Sequence, residues 1–178
     1  MKRTGYLEAV GRTGLMVVLA PYDPHVAGTP PLGLELPSSD VDVLCHAPDS
    51  VAFAAVVWEA FSNEADFLMR QWIAESRPVI ASFTAHSWRF EIFGHASPVH
   101  HQNGWRHFVI ERRLLALAGP EFRTAIMQMR IKDIETEPAF AAMLELKGDP
   151  YRALLELEQL SDEQLARLLA TNGFVGHN

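Results

Sequence analysis

Residues 28–45, Gly-Thr-Pro-Pro-Leu-Gly-Leu-Glu-Leu-Pro-Ser-Ser-Asp-Val-Asp-Val-Leu-Cys, decide how this chain is read. A Pro/Gly/Ser loop runs into a short apolar stretch that opens with Asp40 and Asp42, one residue apart. Val41, Val43 and Leu44 favour β structure, and side chains two apart on a strand share a face. The two carboxylates therefore point together, with Val41 and Val43 directed toward a core. Such a pair either marks a sheet edge open to water or holds something positive, because two like charges on one face repel unless a cation bridges them.

Around this stretch the chain alternates between extended and helical patterns. Residues 4–20 read as one helix, with Leu7, Val10, Leu15, Val18 and Leu19 on a common face. "HVAGT" (25–29) is short and extended, Pro30-Pro31 turns, and "LGLELP" (32–37) alternates like a strand. From Ser50, read as the N-cap, a helix of about three turns follows. Three extended segments come next, at 66–74, 77–85 and 87–93. In the last of these Trp88, Phe90 and Ile92 oppose Arg89, Glu91 and Phe93.

From about residue 103 the pattern is helical throughout. Gly119 reads as a C-cap, Pro120, Pro138 and Pro150 stand near helix starts, and Ser161 reads as a cap. These features predict an α+β fold with a mixed sheet, divided as an α/β core (1–103) and a C-terminal helical region (104–178) packed on it. Trp58, Phe61, Trp72, Phe83, Trp88 and Phe90 are read as core.

Composition narrows the function classes. The chain has 178 residues, is 48% apolar and 21% charged, and carries a net charge of −7. That balance suits a globular protein with a real core and disfavours nucleic acid as a partner. A single cysteine, Cys45, excludes an internal disulfide framework and reads as a small buried hydrophobe. No secretory leader or bilayer-length apolar run is read, so the expected location is the cytoplasm, without a membrane partner.

The chemistry of the residues is specific. An acid pair with a third carboxylate on a neighbouring strand makes a cradle for a hard divalent cation, Mg²⁺ or Mn²⁺, and Glu91 is the candidate third acid. Arg89, two residues before it, is the residue that could instead simply pair with it. Gly28 lets backbone N–H groups approach phosphates, and the Thr29 and Ser39 hydroxyls can donate to them. Gln102, Arg106 and His107 open a helix whose first turn suits an anion, with Arg106 as a phosphate fork. His100, His101 and His107 match no zinc spacing, and neither a Walker-type loop nor a nucleophile elbow occurs.

Gly-Thr, a ten-residue gap and then Asp-Val-Asp within apolar residues resembles the signature of the DNA polymerase β-like nucleotidyltransferase superfamily. More closely, "GTPPLGLELPSSDVDVLC", "FEIFG", "VHHQNGWRHFVIERRLL" and "ETEPAFAAMLELKGDPYRALL" resemble a small bacterial family designated domain of unknown function 4269. The resemblance implies a minimal nucleotidyltransferase core with a C-terminal helical layer. It implies Gly28 and Thr29 toward a nucleoside triphosphate, with Gly33, Ser39 and Arg106 read into the same nucleotide site, and Asp40, Asp42 and Glu91 as catalytic metal ligands; an acceptor is expected to enter near Gln102 and His107. The implied reaction moves a nucleoside monophosphate to a hydroxyl on an unidentified small-molecule or protein acceptor, with a homodimer left open. One departure stands out: the segment between Thr29 and Gly33 is Pro-Pro-Leu, where superfamily members often carry a basic residue. That departure supports the alternative, a nucleotidyltransferase-fold binding or interaction protein without turnover.

Overall fold

The computed structural model describes residues 3–73 and 77–174. Contacts divide the chain into two units, Met1–Pro31 with Ser38–Trp105, and Leu32–Pro37 with Arg106–Asn178. The second unit therefore takes a short piece of the sequence-early loop as well as the C-terminal helices.

The first unit is built on a five-stranded mixed sheet. Its strands are β1 (His25–Ala27), β2 (Val41–His46), β3 (Ala65–Gln71), β4 (Val79–Ala85) and β5 (Trp88–His95), in the order β1-β2-β5-β4-β3. Only β2 and β5 are parallel; the other neighbours are antiparallel. The alternation read in β5 holds, with Trp88, Phe90 and Ile92 buried and Arg89, Glu91 and Phe93 toward the other face. Val41, Val43 and Cys45 join them in one core cluster with Phe53, Val57 and Phe61 of α4 (Ser50–Phe61). Phe83 stacks between Phe61 and Phe90 at centroid distances of 4.9 and 5.2 Å. Gly94 permits close packing of α4, since a Cβ there would lie 2.1 Å from Phe53 Cε1.

Several expected elements change form. The helix expected over 4–20 is broken into α1 (Tyr6–Thr13) and α2 (Leu15–Val18), because Gly14 takes φ +65° and ends the first helix in the left-handed region. A 3₁₀ turn at Ala20–Tyr22 follows. Pro30-Pro31 does not simply turn the chain; it lies within α3 (Thr29–Leu32). Asp49, not Ser50, caps α4, its carboxylate accepting from the Val51 and Ala52 N–H groups at 3.0 Å each. The segment expected at 66–74 ends as a strand at Gln71, and its last residue, 74, lies outside the described residues. Trp58 and Trp72, expected in the core, are 57% and 52% exposed.

The second unit contains α5 (Asn103–Leu117) from Arg106 onward, α6 (Pro120–Arg130), α7 (Thr136–Met143), α8 (Pro150–Glu156) and α9 (Asp162–Thr171). Its buried side chains include Ile110, Leu114, Phe122, Ile126, Phe140 and Leu165, with Phe122 and Phe140 edge-to-face at 5.5 Å. Ser161 caps α9 in a reciprocal box with Gln164. Gly119 is not a C-cap: with φ −74° and ψ 173° it is the N-cap of α6. "LGLELP" forms no strand. Its carbonyls are taken by α6 instead, Arg123 Nη1 donating to Leu32 O and Arg130 Nε donating to Leu34 O at 3.1 Å, while Leu34 is fully buried. An alternating pattern thus satisfies its backbone with guanidinium groups rather than a ladder.

Candidate metal centre

Asp42 lies in the interior of the sheet. It pairs in register with Ala27 on β1 and with Glu91 on the parallel strand β5. Asp40 stands two residues earlier, just before β2 begins, and so projects to the same face. One carboxylate oxygen from each of Asp40, Asp42 and Glu91 lies within 4.8 Å of the other two, and all three residues are half-buried. Parallel register is what unites acids 49 positions apart: Val41 opposite Phe90 fixes Asp42 opposite Glu91, with the apolar partners buried beneath.

Gly28 closes one side of this group. It has φ +76°, and a Cβ built on it would come 2.1 Å from Asp42 Oδ2 and 3.1 Å from Asp42 Cγ. Only glycine therefore admits the Asp42 carboxylate where it stands. Thr29 Oγ1 donates to Ser39 Oγ at 3.1 Å, so the hydroxyls on either side of the loop meet beside the acids in sequence. Ser39 is buried, and its carbonyl accepts from Arg3 Nη2. The donor set is all oxygen and anionic, which suits a hard divalent cation.

The remaining expected residues fall elsewhere. Arg106 closes on Glu158, with Nε 3.0 Å and Nη2 2.6 Å from Glu158 Oε2. That hydrogen bond holds the guanidinium pKa above its usual value, and a phosphate role would require the pair to open. His107 is buried, its Nε2 3.0 Å from the Tyr151 carbonyl and its Nδ1 3.6 Å from Glu137. Gln102 is also buried; its amide donates to Cys45 O at 3.0 Å and Ser97 O at 2.9 Å, which ties the end of β2 to the loop after β5. These contacts give Gln102 and His107 structural work rather than an open acceptor face. Gly33, at φ +66°, belongs to the second unit, where its carbonyl accepts from Arg123.

Arg89 does not pair with Glu91 in the way its position suggested. Its Nη2 donates to Ser82 Oγ at 3.3 Å, and the guanidinium that approaches Glu91 is Arg70, on β3, at 3.8 Å. Arg70 was not legible as a site residue, because β4 intervenes between β3 and β5 and only the strand order brings it near.

Among curated proteins none matches the sequence. Solved structures do resemble the fold. One of Cid1, described for its RNA terminal uridylyl transferase activity, aligns with a TM-score of 0.55 and 15% identity, covering 84% of this chain and 46% of that one. A cytoplasmic RNA terminal U-transferase aligns with a TM-score of 0.51 and 13% identity, over 86% of this chain and 44% of that one. A Cid1 poly(U) polymerase with MgGTP bound gives 0.51 and 14%, over 80% and 44%. The chain thus spans less than half the length of each of these solved chains, and the likeness is one of fold: a nucleotidyltransferase-type mixed sheet with flanking helices. The sequence itself matches a family across residues 8–157, and the chain belongs to that family, the domain of unknown function DUF4269.

Proposed function

We propose that this protein is a divalent-metal-dependent nucleotidyltransferase that moves a nucleoside monophosphate from a nucleoside triphosphate to an acceptor hydroxyl. The observation that carries this reading is the carboxylate triad on one sheet face, in a fold of the nucleotidyltransferase type. Asp40 and Asp42 would hold Mg²⁺ or Mn²⁺, with Glu91 either completing the ligand set or receiving the acceptor's proton. When bound, the cation neutralises charge on the phosphate under attack. The acceptor oxygen forms a bond to the α-phosphorus as the bond from that phosphorus to the β-phosphate oxygen breaks. Pyrophosphate leaves with the electron pair, and the acceptor proton passes to Glu91 or to water. Gly28 and Thr29, with Ser39, would orient the outgoing phosphates through N–H and O–H donors.

The reading is tested by unfolding midpoints with each of the four ribonucleoside triphosphates, with and without Mg²⁺. A ligand that binds only the native state raises the midpoint by mass action. A metal-dependent rise with at least one nucleotide, lost in Asp42→Asn, is expected; no rise with any of them overturns the proposal. The second reading, a nucleotide binder without turnover, is favoured by the uncharged Pro30-Pro31-Leu32 of α3 and by the engagement of Arg106 with Glu158. Transfer of α-labelled nucleotide into acceptor above the Asp40→Asn background separates the two.

A further inference from the structure

The sheet face that bears the acids also bears two arginines. Leu68, Ser82, Glu91 and Asp42 form one row across β3, β4, β5 and β2, and Thr84 pairs with Arg89 in the next row along β4 and β5. Arg70 Nη2 leans to 3.8 Å from Glu91 Oε1, and Arg89 Nη2 donates to Ser82 Oγ, directly opposite Glu91 in register. Two guanidinium groups thus reach toward the row that holds Ser82 and Glu91, Arg70 to Glu91 from β3 and Arg89 to Ser82 from β5.

These two are held differently from the arginines that close on acids. Arg106 is closed on Glu158 at 2.6 Å, Arg113 on Asp162 at 2.7 Å and Arg12 on Glu8 at 2.7 Å. Arg70, half exposed, stands beyond hydrogen-bond distance of its acid, and Arg89, also exposed, makes one long bond to a neutral hydroxyl. A guanidinium has five N–H donors in a planar fork that matches phosphate oxygens. In a chain of net charge −7, two loosely engaged forks beside a carboxylate triad offer N–H donors to an anion.

Strand order separates Arg70 from the phosphate donors of the proposed nucleotide site, and Arg89 reaches from the middle strand toward β4. Gly28 and Thr29 follow β1, at one edge of the sheet, whereas Arg70 lies on β3, the opposite edge strand. Glu91, on the middle strand, stands between them. An anion held by Arg70 from β3 and by Arg89 over Ser82 of β4 would lie on the side of Glu91 away from Gly28 and Thr29, and a hydroxyl a few bonds from that anion would reach Glu91.

We propose that Arg70 and Arg89 form an acceptor subsite that binds a phosphate group, so that the acceptor is a phosphorylated hydroxyl compound. As an acceptor site this rests on the nucleotidyl-transfer reading; as an anion site it does not. The source of the phosphate is a small phosphate monoester or a nucleic-acid strand end, and binding distinguishes them.

The test is calorimetric titration of the full chain at low ionic strength with ribose 5-phosphate, a five-nucleotide RNA with a free 3′-hydroxyl, and ribose. At least one phosphate-bearing probe is expected to bind, and ribose is not. Arg70→Gln and Arg89→Gln should each weaken that binding about 10- to 100-fold, the loss of a charge-assisted hydrogen bond. Arg70→Lys and Arg89→Lys should recover part of it, and Arg113→Gln should stay within about twofold of the parent. Preference for the monoester or the RNA assigns the acceptor source. No phosphate binding, or binding indifferent to both arginines, overturns the inference, and if the metal-dependent nucleotide shift is still present the nucleotidyl-transfer reading survives. Arginine-dependent binding without any nucleotide shift has the opposite meaning: the anion site stands and the acceptor assignment falls. Displacement of the probe by a non-hydrolysable triphosphate with Mg²⁺ also overturns the acceptor assignment, whereas simultaneous binding supports it.

Discussion

Replacing Gly28 by alanine tests the coupling between the loop and the acids. The substitution has two separable costs. The first is backbone strain: at φ +76° an alanine is left-handed, which costs about 1–2 kcal/mol. The second is steric, because the new Cβ would meet Asp42 Oδ2 at 2.1 Å and the carboxylate must retreat to about 3.5 Å. A swing of more than about 1 Å by a flexible side chain is cheap for folding but not for metal binding, where ligand distances tolerate about 0.2 Å. Gly14 supplies the control. It has φ +65° with open space where a Cβ would go, so Gly14→Ala carries the strain without the clash. Both variants should lose about 2–8 °C in unfolding midpoint, from about 2–4 °C per kcal/mol at this chain length. In Mn²⁺ titrations followed by the midpoint, Gly14→Ala should keep the parent's apparent affinity, while Gly28→Ala loses at least about tenfold, the low end of what even outer-shell disturbances cost. Equal metal affinity in Gly28→Ala and the parent would refute the reasoning, and so would a parent with no metal response.

Other perturbations report on the frame. Burial, reinforced by Glu137 and partly opposed by Arg130, raises the Glu111 pKa well above the ordinary carboxylate range, and its Oε1 is buried without a hydrogen-bond partner. The folded state therefore binds a proton more tightly than the unfolded chain, so the stabilisation is full at acid pH and is lost as pH rises through the raised value. The unfolding midpoint of Glu111→Gln relative to the parent should increase from pH 5 to pH 8, and parallel curves would contradict this assignment. Gly94→Ala would drive a Cβ into the Phe53 ring at 2.1 Å, and overpacking of this kind costs about 1–3 kcal/mol or more, readable by denaturant titration. The Cys45 thiol, pushed up to about 12 by burial and then by Asp23, should resist a chromogenic disulfide reagent until the chain unfolds; stoichiometric labelling within minutes in native buffer would show otherwise.

What could be read without coordinates was whatever is local and periodic. The alternation in 88–93 placed Glu91 and its apolar neighbours on opposite faces, and Asp40 and Asp42 fell on one face by spacing alone. Distinguishing a strand from an extended segment was beyond the same method. Leu32, Leu34 and Leu36 alternate as a strand does, but the arginines of α6 that occupy the backbone carbonyls of Leu32 and Leu34 lie some ninety residues downstream. Arg106 and Gln102 likewise had the right chemistry for a ligand, and their engagement with Glu158 and with the Cys45 carbonyl depends on tertiary placement. The same is true of Arg70, whose relation to Glu91 exists only once β4 is inserted between β3 and β5.

Strand order also bears on one of the two explanations for adjacent aspartates in an apolar run. If Asp40 and Asp42 served to keep a sheet edge in water, their strand should be an edge strand. It is not: β2 lies between β1 and β5, and Asp42 has a register partner on each side. A solubilising acid would also need no particular neighbour, yet Gly28 leaves room for the Asp42 carboxylate that no other residue could leave. Two carboxylates in register on an interior row of a sheet, with a third just before the strand, repel one another by themselves. A cation among the acids would relieve that repulsion, and the loop glycine, more than the acid pair alone, is the residue whose substitution tests it.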